Sequence, residues 1–182
     1  MTESTLQDSP ATKTHTNRDG TKVEVPESVI IDENAYINPS ASIGEGVVIE
    51  GSANVGFHVK IGANSIIGAE ASVDDHTQIG SRVEVGARTR IGSKCVVQDG
   101  VQIAGGVTIA LESMIEVNTT VGEGTKISLG VHIGEGSIIG DYVSIGYKCR
   151  FASGQTIADM SVYPNYSKVG FSHKSWWRRL FG

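Results

Sequence analysis

The chain has 182 residues, 23 of them glycine, and a formal charge of −5. That balance leaves no electrostatic footprint for nucleic acid, and the length suits one domain with an adequate core. No secretory apolar core and no long apolar run is present, which predicts a cytoplasmic protein without a membrane span.

In chain order, residues 1–22 are rich in Thr, Ser, Asp and Asn without periodicity. They read as a flexible N-terminal tail. Val23 to Ile31 then leads into a repeat, with Pro26 at an entry turn. From Ile31 to Ile157 every sixth residue is apolar: sixteen Ile, five Val and Phe151. Two residues earlier sits a small residue, as at Ala41, Ser65, Thr77, Cys95 and Ser137, and Gly follows the apolar residue eleven times. A fixed short period marks a repeat architecture.

Six is not a multiple of the helical turn, so a helix would scatter these residues around its axis. On a strand, the small residue and the apolar one two places later share a face. Gly, Asn, Asp and Glu then carry a corner, where Gly supplies dihedrals that other residues avoid. Three such hexads close a triangular coil of eighteen residues. The 21 hexads from 31 to 157 make about seven coils, roughly 34 Å tall at about 4.8 Å per rung.

Cys95 and Cys149 occupy the small inward position, 54 residues or three rungs apart. That is roughly 14 Å, beyond the reach of about 7 Å between Cα atoms that a disulfide needs. They read as reduced core residues in a reducing compartment.

This pattern resembles the left-handed β-helix of the hexapeptide-repeat transferases. The resemblance implies an all-β fold, a single-stranded left-handed parallel β-helix over residues 23–158. Residues 159–182 then form an exit loop and a C-terminal extension or short helix. Pro164, Tyr166, Ser167, Val169 and Gly170 are similar to that family's exit run. Beyond them, Phe171 to Phe181 reads as a short helix with an N-cap at Ser172 or Ser175. Its Trp176, Trp177, Arg178 and Arg179 suit an aromatic cap on the open prism end or a surface that meets a membrane.

The unbroken phase stacks residues eighteen apart. One corner then carries Phe57, Leu111, Leu129 and Tyr147, and the next face carries Val96 and Met114. Exposed apolar clusters mark association surfaces, and the family resemblance implies a homotrimer with this edge at the subunit contact. Val48, Ile66 and Ile138 on another face compete for that role.

His58 and His76 should stack one rung apart. The string Val73-Asp-Asp-His76-Thr-Gln-Ile79-Gly80 is similar to segments of lipid A precursor acyltransferases and of sugar N-acetyltransferases, which implies a catalytic imidazole. His76, oriented by Asp74 or Asp75, would be the base that deprotonates a hydroxyl or amine; the alternative is a solvent-facing corner histidine. Where Gly is missing after the apolar residue, Ala104, Gly105 and Ala110 would let a chain-like ligand approach the backbone. Lys168, Lys174 and Arg178 would meet the phosphates of coenzyme A.

Val97-Gln98-Asp99-Gly100 resembles a segment of the γ-class carbonic anhydrases. That class's ligand histidines would fall near Ala104, Leu111 and Glu116, none of them His, so no metal is expected. The reading is an acyltransferase moving an acetyl or other acyl group from acyl-CoA to a small-molecule hydroxyl or amine acceptor. The alternative is a non-catalytic trimeric β-helix scaffold.

Overall fold

The computed structural model describes residues 11–171. Its main body is a left-handed β-helix of eight coils. Two-residue strands run from β3 (Ile30–Ile31), β4 (Tyr36–Ile37) and β5 (Ser42–Ile43) to β26 (Lys168–Val169). They form three parallel sheets of eight strands each, headed by β3, β4 and β5 and here termed the first, second and third faces. Each strand pairs with those eighteen residues before and after it, as in Gln78↔Val96 and Ile79↔Val97.

The core is the predicted aliphatic column, with Ile37, Ile67, Ile91, Ile109, Ile133 and Ile145 all essentially inaccessible. The small inward position holds buried hydroxyls that join rungs. Thr77 Oγ1 donates to Gly92 O at 2.8 Å and accepts from Cys95 N at 3.3 Å, and Thr125 and Ser65 repeat that pattern. Each hydroxyl thus donates one hydrogen bond and accepts another, which is what makes it tolerable inside an apolar column. Cys95 and Cys149 are buried and free. Each thiol donates to a carbonyl fifteen residues on, Ala110 O and Pro164 O, both at 3.1 Å.

The corners differ from the sequence expectation in where glycine matters. The left-handed dihedral falls three residues after the aliphatic one, and fourteen non-glycine residues occupy it, His58 (φ 52°), Asn64 (φ 57°) and His76 (φ 59°) among them. The glycine directly after the aliphatic residue answers a crowding problem instead. A Cβ on Gly62 would lie 2.6 Å from both Gly80 C and Ser81 N of the next coil.

The chain also differs at both ends. Instead of a tail reaching Lys22, β1 (Thr12–Thr16) and β2 (Lys22–Pro26) form an antiparallel hairpin. Val23 and Val25 are buried over the first coil. At the hairpin turn the Asn17 side chain accepts from Ile37 N at 3.0 Å and donates to Ile37 O at 2.8 Å. This amide completes the exposed edge of β4, the kind of edge that otherwise invites association.

At the other end the repeat does not stop near residue 158. Tyr163 and Val169 keep the phase and pack on the core, with the Tyr163 ring 5.1 Å from that of Phe151. This is why there are eight coils rather than seven. The short helix expected over 172–181 lies outside the described residues.

Candidate functional site

His58 and His76 stand on adjacent rungs of the corner between the second and third faces. Their ring centroids are 5.5 Å apart with planes at 64°, and Phe57 packs 3.8 Å from the His58 ring. The aspartates expected to orient His76 are engaged elsewhere. Asp75 Oδ1 accepts the Phe57 N–H at 2.8 Å, and Asp74 Oδ1 accepts from Ser72 Oγ at 3.0 Å. Asp75 belongs to a set: Asp99, Asp141, Asp159 and Asn165 bind the amide eighteen residues earlier in the same way. Its carboxylate is a rung-to-rung cap, and no hydrogen bond joins either aspartate to His76 among the described residues.

The expected ligand-binding residues do not converge. Ala104 and Gly105 turn the corner from the first face to the second, and Ala110 turns the next, where its carbonyl takes the Cys95 thiol. Lys168 ends the third face, three rungs below that level. Lys174 and Arg178 lie outside the described residues.

A groove instead runs along the third face, roughly 530 Å³ in volume. Ser42, Lys60, Gln78 and Val96 line it on four consecutive rungs, with Gly44, Gly62 and Gly80 as a side-chain-free wall and Asp99 and Val117 at its lower end. The same crowding that demands glycine at these positions keeps that wall smooth.

Below the groove the outward residues continue Val96, Met114, His132, Arg150 and Lys168, one rung each. His132 Nε2 lies 2.6 Å from Glu116 Oε1, the imidazole–carboxylate pair found among the described residues. Glu116 Oε2 also accepts from Glu135 N at 2.9 Å. These bonds, that from His132 first, hold the Glu116 carboxyl below its ordinary range. The pair was missed in the sequence because its two members sit in different positional classes. Glu116 directly follows the aliphatic Ile115, and His132 directly precedes Ile133 on the next rung. Counting down the coil would have brought them together.

Gln98, like Glu116, stands where glycine is usual, and its Oε1 accepts from Val117 N at 3.2 Å. The Gly-poor stretch is therefore partly a change of rung-to-rung partner. Among the described residues no three His, Cys, Asp or Glu side chains gather as a metal set, and no helix is long and apolar enough to cross a membrane.

The solved structures that the chain is similar to include two acyltransferases. One is a UDP-N-acetylglucosamine acyltransferase from Bacteroides fragilis, at 21% identity and a TM-score of 0.57, covering 84% of this chain and 79% of that one. The other is the UDP-N-acetylglucosamine O-acyltransferase of Moraxella catarrhalis, also at 21% identity, with a TM-score of 0.51 and coverage of 80% and 66%. The chain thus spans about two thirds to four fifths of their lengths, and at these identities the likeness is one of fold. No curated protein matches the sequence. Residues 61–167, more than half of the chain, match the family model described as the GMPPB C-terminal domain, and the chain belongs to that family.

Proposed function

We propose that this chain is an acyltransferase that moves an acyl group, acetyl in the simplest case, from coenzyme A to a small hydroxyl or amine acceptor. The observation that carries this reading is the third-face groove. Its four-rung length is roughly 14 Å between the outermost rungs, and its glycine wall admits an extended, flexible arm against backbone. Lys60 supplies a cation in its upper half, and Val96 and Val117 give apolar side chains toward its lower end, beside Asp99. A few polar groups on a largely apolar channel is the usual make-up of a small-molecule site. Phe57, Leu111 and Met114 are exposed beside it, so a homotrimer closing over this face would turn the groove into an intersubunit cleft.

A second reading, a non-catalytic scaffold, is favoured by one observation. Glu50, Gln98 and Glu116 all follow the aliphatic residue and all accept an amide from the next rung, so Glu116 has a structural duty of its own.

Isothermal titration with acetyl-CoA separates the two. The acyltransferase binds it, and Val96→Trp, which fills the groove from an outward-facing position, abolishes the heat. No heat from the wild-type protein at millimolar acetyl-CoA leaves the scaffold.

A further inference from the structure

Resting on the acyltransferase reading, we infer that His132, clasped by Glu116, is the proton acceptor of the transfer. Arg150 and Lys168, on the next two rungs of the same face, hold an anionic group of the acceptor. Three observations converge on this stretch.

The first is the tautomer. The Glu116 carboxyl, held below its ordinary range by its hydrogen bonds, is ionised near neutral pH and can only accept. The proton in the 2.6 Å contact therefore sits on His132 Nε2, so whenever the imidazole is neutral Nδ1 is its bare nitrogen. A fixed tautomer with an oriented ring is what a general base requires. His76 has neither, since both of its neighbouring aspartates are bonded elsewhere.

The second is charge. Arg150 and Lys168 are exposed and directly paired across adjacent strands. Among the described residues neither has a carboxylate within salt-bridge reach. Like charges directly opposite one another on neighbouring strands are unfavourable, and this chain has more acidic than basic side chains. An anion bridging the two cations relieves that repulsion, with the Arg guanidinium suited to two-point contact with a phosphate.

The third is order along the face. From top to bottom it runs Lys60, Gln78, Val96, Met114, His132, Arg150, Lys168. A donor arm lying in the groove runs down to Val117, on the same coil as Met114 and one rung above the imidazole. An acceptor anchored at Arg150 and Lys168 reaches His132 from below.

In the transfer, His132 Nδ1 takes the proton from the acceptor O–H or N–H as that atom attacks the thioester carbonyl carbon. The tetrahedral adduct collapses with loss of the C–S bond. The departing sulfur takes the proton from Nδ1, so an ester or amide and free coenzyme A thiol result and the imidazole is regenerated.

The test uses the full chain, labelled with ¹³C and ¹⁵N in histidine. Nuclear magnetic resonance should find His132 protonated at Nε2 and bare at Nδ1 in slightly alkaline solution, with that preference lost in Glu116→Gln. Inorganic pyrophosphate should shift the His132 signals, and Arg150→Gln combined with Lys168→Gln should weaken that binding severalfold. An Nδ1–H tautomer in the wild type overturns the base assignment. Absence of a pyrophosphate shift, or a shift untouched by the double substitution, overturns the anion site.

Thiol release from acetyl-CoA is then followed with phosphoethanolamine and with ethanolamine. The phosphorylated amine should react faster, His132→Gln should slow it by about 100-fold or more, and His76→Gln should leave it unchanged. Release indifferent to His132→Gln overturns the base assignment. Acetyl-CoA binding without release to either amine overturns the acceptor class. Failure to bind acetyl-CoA overturns the acyltransferase reading itself.

Discussion

Replacing Gly62 by Ala should destabilise the protein more than replacing Gly136 by Asn, although only Gly136 has a left-handed backbone. At Gly62 the new Cβ would meet Gly80 C and Ser81 N at 2.6 Å and Gly80 O at 2.8 Å. All three are backbone atoms of the next coil, tied to this one by the 2.8 Å bond from Gly62 N to Ile79 O. Relief requires two coils to part by several tenths of an ångström, and overpacking of this kind costs about 1–3 kcal/mol. The lost freedom of the unfolded chain returns about 0.4–1 kcal/mol, so a net loss of about 1–2 kcal/mol is expected.

Gly136 has φ +64° with nothing within 4 Å of its missing Cβ. Asn64 and Asn118 already occupy the same corner column at φ 57° and 54°. Asn tolerates this region, so Gly136→Asn should cost less than about 0.5 kcal/mol, well under the penalty of an ordinary side chain there. Equilibrium urea unfolding followed by circular dichroism ranks the two. Thermal midpoints should separate by about 2–4 °C per kcal/mol for a chain of this size. A Gly62→Ala protein as stable as the wild type, or a Gly136→Asn protein more damaged than it, would refute the crowding account.

Three further predictions follow from the rungs and the dyad. Asp75→Asn should retain the cap on Phe57 N and leave thermal stability within about 0.5 kcal/mol, whereas Asp75→Ala should cost about 1 kcal/mol by removing that hydrogen bond; calorimetry decides, and a large loss in Asp75→Asn contradicts a cap. Because the Glu116 carboxyl is lowered by its bonds to His132 and to the Glu135 amide, its contribution to stability is present above the ordinary carboxylate range. That contribution is lost as pH falls through the lowered folded-state value. The stability gap between wild type and Glu116→Gln should therefore close as pH falls through the lowered carboxyl value; a gap that persists once that carboxyl is protonated contradicts the account. The Cys95 thiol is pushed up to about 11 by burial, so at pH 8 it should react with an aromatic disulfide only at the rate of coil opening; immediate labelling of the native protein would contradict its place in the core.

The body of the fold was legible because one period carried three kinds of information at once: the aliphatic column, the small inward residue and the crowded glycine. The coil count fell short because the chain after Ile157 was matched to an exit run, although Tyr163 and Val169, with Ser161 and Ser167 inward, keep the count. The hairpin was hidden because Thr12–Thr16 is polar and mostly exposed, and its docking adds to the buried Val23 and Val25 a hydrogen-bonded side chain, Asn17, that no periodicity marks. Asp75 looked catalytic beside His76. Only the direction of its side chain, toward the rung before it, separates a cap from an orienting carboxylate. His132 and Glu116 carry no local motif, since residues sixteen apart become neighbours only after the coil is wound.

The first face offers its own exposed aliphatics, Ile30, Ile66 and Ile138, so the sharpest question is which side of the prism takes the acyl donor. Methyl-labelled nuclear magnetic resonance during titration with acetyl-CoA answers it directly. The signals of Val96, Met114 and Val117 should move together and saturate, while those of Ile30, Ile66 and Ile138 stay fixed. Movement confined to the first face, or none on the third at saturating acetyl-CoA, would contradict a donor groove on the third face.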